Sequence, residues 1–416
     1  MPKTPSPDIA ELSNVSNMLS PAETTNNTHI AISAAATGVN KDEQDGTDRL
    51  SSSSEEDTIP DSDHPAWITE ALEAVDLNSP SPAVYLLCHS QPCPLSNYII
   101  EATVSPNVAT AFSSLLLAVQ NKVESTGRWI DVSHAVPIKF NMAQIPNSPA
   151  TTPSPQNPAQ DYFSIKTTTR AVVAMEHSQA LETSVPSSPR PVVPPSSVSV
   201  SLLERFIPPS TAKEYTHLFA NDAPSALVNR LLELSPQNGS LIFIYPTAQG
   251  ASTFTTTYLG PLLHPLLRTM VSVHGLSMDF GAMVGNIAAV DQMLPFERMV
   301  QKLNVLLRKL SRGTSTTMNR PGPNPKYALV QKSTQLVQLE RKVWTEWWVQ
   351  QESGRIRTVV ERYLKRGSMM PTGKDVTAAT LVQEVLDGVR STRAYADYDE
   401  AREGIEVGVF VIKRTT

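Results

Sequence analysis

Residues 232–250 read LELSPQNGSLIFIYPTAQG, and this stretch decides the fold class that we predict. The apolar residues that end at Leu234 are typical of a helix, and Pro236 and Gly239 mark the turn that follows. The run SLIFIYP (240–246) is short, apolar and rich in β-branched and aromatic residues, which indicates a buried strand. In α/β proteins ligands bind beyond the carboxyl ends of such strands, so the residues from Tyr245 onward are candidates for a site.

Strands and helices alternate along the rest of the chain, which favours a Rossmann-like α/β sheet flanked by helices. We predict further strands at AVYLLC (83–88), in GRWIDVSHAV (127–136), in YFSIKTTTRAVVAMEH (162–177), at YALVQKSTQLVQL (327–339) and at IEVGVFVIKR (405–414). We predict helices at 66–77, 108–126, 201–207, 214–234, 295–310, 340–367 and 377–389. Within 295–310, an apolar face is formed by Met299, Leu303, Leu306, Leu307 and Leu310.

Composition divides the chain into a tail and a body. Residues 1–65 contain 12 acidic and 3 basic residues and few aromatics, so they cannot bury enough apolar surface to offset the entropy of ordering. We predict a disordered acidic tail over 1–65 and one α/β domain over 66–416. Proline-rich segments at 146–160, 184–199 and 312–326 are predicted to be flexible insertions in that domain.

The charge and cysteine content exclude several classes of protein. Residues 66–416 carry 31 basic and 28 acidic residues, which does not favour nucleic-acid binding. Two cysteines are too few for a disulfide scaffold, the first residues lack a secretory apolar segment, and no run of 18 apolar residues occurs. We expect an intracellular protein, cytoplasmic or nuclear, that is neither secreted nor inserted in a membrane.

From about Thr167 to Arg414 the order of elements resembles the second half of the class I S-adenosylmethionine-dependent methyltransferase fold. AVVAMEH (171–177) is similar to the fourth strand of that fold. LLELSPQNGSLIFIYP (231–246) is similar to its helix, turn and fifth strand, where the family often reads L-x-P-G-G-x-L-x-I. YALVQ and IEVGVFVIKR resemble the final antiparallel pair, with the Trp-rich helix inserted between them. The resemblance implies a methyltransferase-like sheet, with S-adenosylmethionine as a possible cofactor.

The sequence departs from that family where the cofactor is bound. Active members carry a Gly-rich turn after the first strand, because glycine lets the backbone approach the cofactor closely. No G-x-G occurs in residues 66–200, and AVYLLC is followed by HSQPCPLSN, which has two prolines and no glycine. Glu101 and Asp131 are both candidates for the acid that holds the ribose, and the cofactor-binding residues stay unknown. We therefore interpret the chain as a non-catalytic regulatory or scaffolding module, the alternative being an active methyltransferase with an atypical cofactor site.

Polar side chains near the predicted strand ends are the candidate site residues. His177, directly after AVVAM, is the candidate base or substrate contact. A substrate crevice is predicted from Asp222, Tyr245, Thr247, Gln249 and His264. Each of these residues also has a purely structural interpretation.

Two local patterns suggest chemistry that the rest of the chain does not support. Cys88, His89 and Cys93 suggest a metal site, but no second pair of ligands follows, so no metal is predicted. The sequence HGLSMD (274–279) resembles the nucleophile elbow of α/β-hydrolases. That triad needs a histidine after the serine, and none follows Ser277.

Partner binding and regulation are predicted from surface features. Trp344, Trp347 and Trp348 form either a core stripe or a partner-binding face on a helix whose second half is basic. Ser-Pro and Thr-Pro pairs recur in the proline-rich segments and in the tail, which also contains SSSSEED (51–57). These motifs predict a phosphoprotein with protein partners, although such pairs also occur by chance in disordered segments.

Overall fold

The computed structural model describes residues 66–77, 81–92, 111–124, 126–136, 167–173, 191–220, 225–312, 325–366, 376–391 and 403–415. All of them belong to one compact unit, Pro60–Thr416. The predicted tail over 1–65 and the insertion at 146–160 lie outside the described residues.

The described strands form one seven-stranded sheet in the order β3-β2-β1-β4-β5-β7-β6. Their bounds are β1 Ala83–Gln91, β2 Trp129–Val136, β3 Thr167–Val173, β4 Val200–Arg205, β5 Ser240–Pro246, β6 Lys326–Val337 and β7 Ile405–Thr415. Strands β1 to β5 pair with one another in parallel, whereas β7 is antiparallel to both β5 and β6. The α/β fold class and the final antiparallel pair are therefore confirmed.

Helices cover both faces of the sheet. Their bounds are α1 Ala66–Glu73, α2 Ala111–Glu124, α3 Ala212–Leu218, α4 Ala226–Glu233, α5 Ala248–Thr253, α6 Gly260–His274, α7 Met278–Gly285, α8 Phe296–Ser311, α9 Arg341–Lys365 and α10 Ala378–Arg390. One face packs against α1, α2, α6, α7, α9 and α10, and the other against α3, α4 and α8. No helix in the described ranges is both long enough and apolar enough to cross a membrane.

The strand β4 corrects the predicted helix over 201–207. All six residues of β4 are buried, because helices or neighbouring elements cover both faces of a parallel strand at the centre of a sheet. A strand buried on both faces shows no alternation of polar and apolar residues, and this one was too short to be distinguished from a helix by its pattern. AVVAMEH is consequently not the fourth strand, since Thr167–Val173 forms the edge strand β3.

The predicted helix over 214–234 is two helices. Thr211 caps α3 by accepting a hydrogen bond from the Glu214 backbone N–H at 3.1 Å, and Ser225 caps α4 in the same way through Val228 at 3.1 Å. Capping side chains satisfy the backbone N–H groups that the first turn of a helix leaves free. Each cap therefore fixes a separate helix start.

Part of the predicted flexible insertion over 184–199 packs on the body of the protein. Val193 and Val198 are buried, and the backbone N–H groups of Val192 and Val193 donate to Glu233 Oε1 at 2.5 and 3.3 Å. Glu233 is also paired with Arg230, whose Nε lies 2.6 Å from Glu233 Oε2. A buried ion pair thus holds the segment that leads into β4, and the prediction was wrong for residues 191–199.

The Trp-rich helix α9 lies between β6 and β7 in the chain, as predicted. Trp344, Trp347 and Trp348 are all buried, and Phe206 stacks on Trp347 with ring centroids 5.9 Å apart. The core interpretation of the stripe is therefore confirmed. The indole rings place α9 against the segment that follows β4.

Candidate functional site

The order of the strands creates a crevice between β1 and β4. Chain connections leave these two neighbouring strands in opposite directions along the sheet, and ligands of doubly wound folds bind at this switch point. The last paired residues there are Ser90 with Glu204 and Gln91 with Arg205. We call these four residues the switch-point crevice.

Glu204 occupies one side of the switch-point crevice. Its side chain is buried, Ser90 Oγ donates a hydrogen bond to its Oε1, and the Ala111 backbone N–H donates to its Oε2 at 2.9 Å. Ala111 is the first residue of α2, so the carboxyl group lies at a helix N-terminus. Burial raises the pKa of Glu204 to about 7, although both hydrogen bonds oppose this rise.

His134 and Cys88 lie on the same side of the sheet as Glu204. They are register partners in β2 and β1, and both are buried. The His134 ring meets the edge of Phe112, with centroids 4.8 Å apart, and burial lowers its pKa to about 4. At neutral pH this imidazole is therefore uncharged. In the described parts of the chain, no three His, Cys, Asp or Glu residues are grouped so as to hold a metal ion.

Arg205 occupies the opposite side of the crevice. Its side chain is only 4% exposed, and its Nη2 lies 2.9 Å from Glu214 Oε1. Its Nε and Nη1 atoms are buried and have no hydrogen-bond partner among the residues that the structure describes. Buried polar groups are nearly always paired, and the Arg205 guanidinium also interacts with the Tyr245 hydroxyl, so an anionic ligand would compete with that hydroxyl for these donors.

The Tyr245 ring lies beside the Arg205 side chain. The guanidinium carbon of Arg205 lies 5.9 Å from the centre of the Tyr245 ring, and Tyr215 and Phe243 pack around the same ring. Burial raises the pKa of Tyr245, and the positive charge of Arg205 opposes this rise. Tyr245 therefore remains a neutral hydroxyl at physiological pH.

The other predicted crevice residues have different positions. Thr247 is buried and caps α5, because its Oγ1 accepts from the Gly250 backbone N–H at 3.2 Å, and it also donates to Glu406. Gln249 on α5 and His264 on α6 are exposed. Asp222 and the candidate base His177 lie outside the described residues.

Replacing Thr247 by alanine is expected to destabilise the protein by about 1 kcal/mol, the usual contribution of a helix cap. Urea unfolding checks this value. Thr247→Ser keeps the capping oxygen and is the control. Equal losses in the two variants would show that the cap contributes nothing.

Sequence reasoning missed Glu204, Arg205, Ser90 and His134. Glu204 and Arg205 end the apolar run VSLLER (200–205). They could have been recognised as site residues only if that run had been predicted to be a strand, because they then lie at its carboxyl end. Asp131 is not at the crevice, because it lies opposite Tyr85 near the start of β2 and pairs with Arg170 at 3.4 Å. Glu101 lies outside the described residues.

The HGLSMD stretch joins two helices. Gly275 ends α6 in the left-handed conformation, with φ of 64°, and Ser277 precedes α7. His274 Nε2 lies 2.7 Å from Glu384 Oε2, whereas the Ser277 hydroxyl accepts from Tyr363 at 3.1 Å. Serine and histidine thus have separate partners, which fits a connecting loop and not a nucleophile elbow.

A second concavity lies beside the segment that follows β4, and we call it the exit pocket. Its volume is 310 Å³. Six residues define it here, namely Ser210, Thr211, Met283, Arg355, Val359 and Arg362. It is therefore formed by the β4 exit, α7 and the second half of α9.

Comparisons with known proteins show similarity of structure only. No family model and no curated protein matches the chain. Among solved structures, a coclaurine N-methyltransferase bound to N-methylheliamine and SAH matches with 10% identity, covering 83% of this chain and 69% of the other, at a TM-score of 0.26. A putative type II methyltransferase from Anaeromyxobacter dehalogenans matches with 9% identity, covering 84% and 94% of the two chains, at a TM-score of 0.24.

Proposed function

We propose that this chain is a methyltransferase-like regulatory or scaffolding module that does not use S-adenosylmethionine. The observation that carries the proposal is the Glu204 carboxyl group at the N-terminus of α2, on the β1 side of the switch point. In folds of this kind the helix after the first strand offers its N-terminal N–H groups to an anionic part of the ligand. Here the Glu204 carboxyl group accepts a hydrogen bond from one of these N–H groups.

Sequence features support the same conclusion. The segment between β1 and α2, residues 92–110, contains no glycine, so a close approach of its backbone to a cofactor is not favoured. Ionised Glu204 would also repel the carboxylate of S-adenosylmethionine. The residues that the structure describes at this side of the crevice therefore do not fit that cofactor.

A protein partner suits such a module better than a small substrate. The acidic tail and the Ser-Pro and Thr-Pro pairs offer sites at which phosphorylation would add negative charge. We infer that these segments regulate binding to a partner protein, while the α/β body provides the scaffold.

A second candidate function is an active methyltransferase with an atypical cofactor site. Arg205 favours it, because its buried Nε and Nη1 atoms, which have no hydrogen-bond partner in the described parts of the chain, offer donors for a carboxylate at the carboxyl end of β4. In that case Arg205 would hold the carboxylate of S-adenosylmethionine in place of a Gly-rich turn.

Calorimetric titration of the full chain with S-adenosylmethionine separates the two candidates. We expect no heat of binding and no thermal shift at millimolar cofactor, whereas a ligand present at a hundredfold excess over its Kd would stabilise the folded state by about 2.7 kcal/mol. Saturable binding that Arg205→Gln abolishes would overturn the scaffold proposal and establish the atypical cofactor site.

A further inference from the structure

We propose that the exit pocket binds a small organic monocarboxylate with an apolar body. None of the residues that line this pocket belongs to the switch-point crevice, and the proposal does not depend on whether that crevice holds a cofactor. Its volume of 310 Å³ is at the lower end of the range of roughly 300–1,000 Å³ for small-molecule sites. The pocket is thus large enough for a ligand built around a single ring.

The walls of the exit pocket favour a hydrocarbon body. Met283 of α7 and Val359 of α9 both line the pocket, together with the small apolar residues Ala212 and Ala288. Removing apolar surface from water is favourable in proportion to its area. A charged peptide would bring little apolar surface to these walls, whereas an aromatic or branched aliphatic acid would cover them.

Ser210 gives the pocket a polar anchor. The residue is only 5% exposed, lines the pocket, and makes no hydrogen bond with any described residue. A hydroxyl group can both donate and accept a hydrogen bond, so Ser210 can pair with a group that enters the pocket. A ligand oxygen in the pocket would accept the hydrogen bond that Ser210 Oγ can donate.

Arg355 shapes the pocket but contributes no net charge. Its Nε donates to the buried carboxylate of Glu352, its Nη1 to the Asn286 carbonyl oxygen at 3.0 Å, and its Nη2 to the Val284 carbonyl oxygen at 2.9 Å. The paired carboxylate neutralises the guanidinium group. Arg355 therefore fixes the wall formed by residues 284–286.

Arg362 supplies the charge that selects an anion. Its side chain is exposed at the pocket and has no ion pair with a described residue, and none of the described residues that line the pocket is acidic. The neighbouring Lys365 and Arg366 are also exposed and add positive potential at this end of α9. One unpaired guanidinium beside apolar walls matches a ligand with one carboxylate.

Titration of the full chain with benzoate, followed by ligand-detected NMR, tests the proposal. We expect saturable binding in the millimolar range, and much weaker binding of the uncharged isostere benzamide. Arg362→Gln should weaken benzoate binding about tenfold, because it removes a charge-assisted hydrogen bond. Ser210→Ala should weaken it about threefold to tenfold, as expected for a neutral hydrogen bond.

Arg357→Gln is the matched control, since Arg357 is exposed on the same helix and does not line the pocket. This variant should bind benzoate like the unmodified protein, and the thermal unfolding of each variant shows that it is folded. Absence of saturation, equal binding of benzamide, or equal losses in Arg357→Gln and Arg362→Gln would overturn the proposal. Arg362-dependent binding of a phosphorylated peptide of residues 48–60 without benzoate binding would also overturn it, in favour of a peptide site.

Discussion

Replacing Glu204 by glutamine is expected to stabilise the protein by about 3 kcal/mol at pH 8 and to change its stability little at pH 4.5. The carboxyl group is fully buried, and burial raises its pKa from 4.5 to about 7. Glutamine has the same shape, can donate to Ser90 Oγ and can accept from the Ala111 backbone N–H. The two hydrogen bonds therefore remain, and only the titrating charge is removed.

The sign of this effect follows from proton binding. Between pH 4.5 and pH 7 the folded protein keeps the proton on Glu204, whereas the unfolded chain has released it. Because the unfolded state binds fewer protons, the free energy of unfolding falls as the pH rises through this window and stays low above it. Glutamine does not titrate, so the difference between variant and unmodified protein grows across the same window.

Urea unfolding at pH 4.5, 6 and 8 measures this difference. Glu361→Gln is the control, since it makes the same replacement at an exposed position on α9. A stability difference for Glu204→Gln that is constant with pH would show that the carboxyl group is already ionised in the folded protein at pH 4.5. The negative charge of Glu204 would then lie at the N-terminus of α2 without a cost in folding free energy.

The elements that sequence reasoning identified correctly have strong local patterns. Strand β5 is an apolar run bounded by a clear turn, and α8 presents Met299, Leu303 and Leu306 on one buried face, as expected from their spacing. Strand β7 and its antiparallel pairing followed from the resemblance to the methyltransferase fold. Local periodicity and element order were sufficient for these parts.

The site could not be predicted because it depends on which strands are neighbours. VSLLER is ambiguous as a sequence, and once it was taken as a helix the fourth strand had to be placed at AVVAMEH. That choice directed attention to His177 and away from Glu204 and Arg205. The pairing of Ser90 with Glu204 joins residues 114 positions apart, and no local pattern records it. His134 likewise looks like any histidine in a strand until α2 covers it.

Replacing His134 by glutamine is expected to stabilise the protein by about 2 to 3 kcal/mol at pH 4.5. At pH 7.5 the imidazole is uncharged in both the folded and the unfolded protein, so titration should contribute little to the difference in stability there. Burial against α2 lowers the pKa of His134 from 6.5 to about 4. Below pH 6.5 the His134 imidazole binds a proton in the unfolded chain, whereas in the folded protein it stays unprotonated until about pH 4. The free energy of unfolding therefore falls as the pH decreases, and the uncharged glutamine removes this dependence.

The contributions of His134 and Glu204 thus have opposite slopes over pH 4.5–6.5 and nearly cancel in the unmodified protein. Each single variant should expose the slope of the other group: Glu204→Gln should become more stable as the pH rises through this window, and His134→Gln should become less stable. The double variant should show neither slope. Urea unfolding of the four proteins at pH 4.5, 5.5, 6.5 and 7.5 measures all three differences. The free energy of unfolding of His134→Gln could instead change with pH in parallel with that of the unmodified protein. That result would mean that the imidazole binds its proton in the folded state, and that α2 does not exclude water from this edge of the sheet.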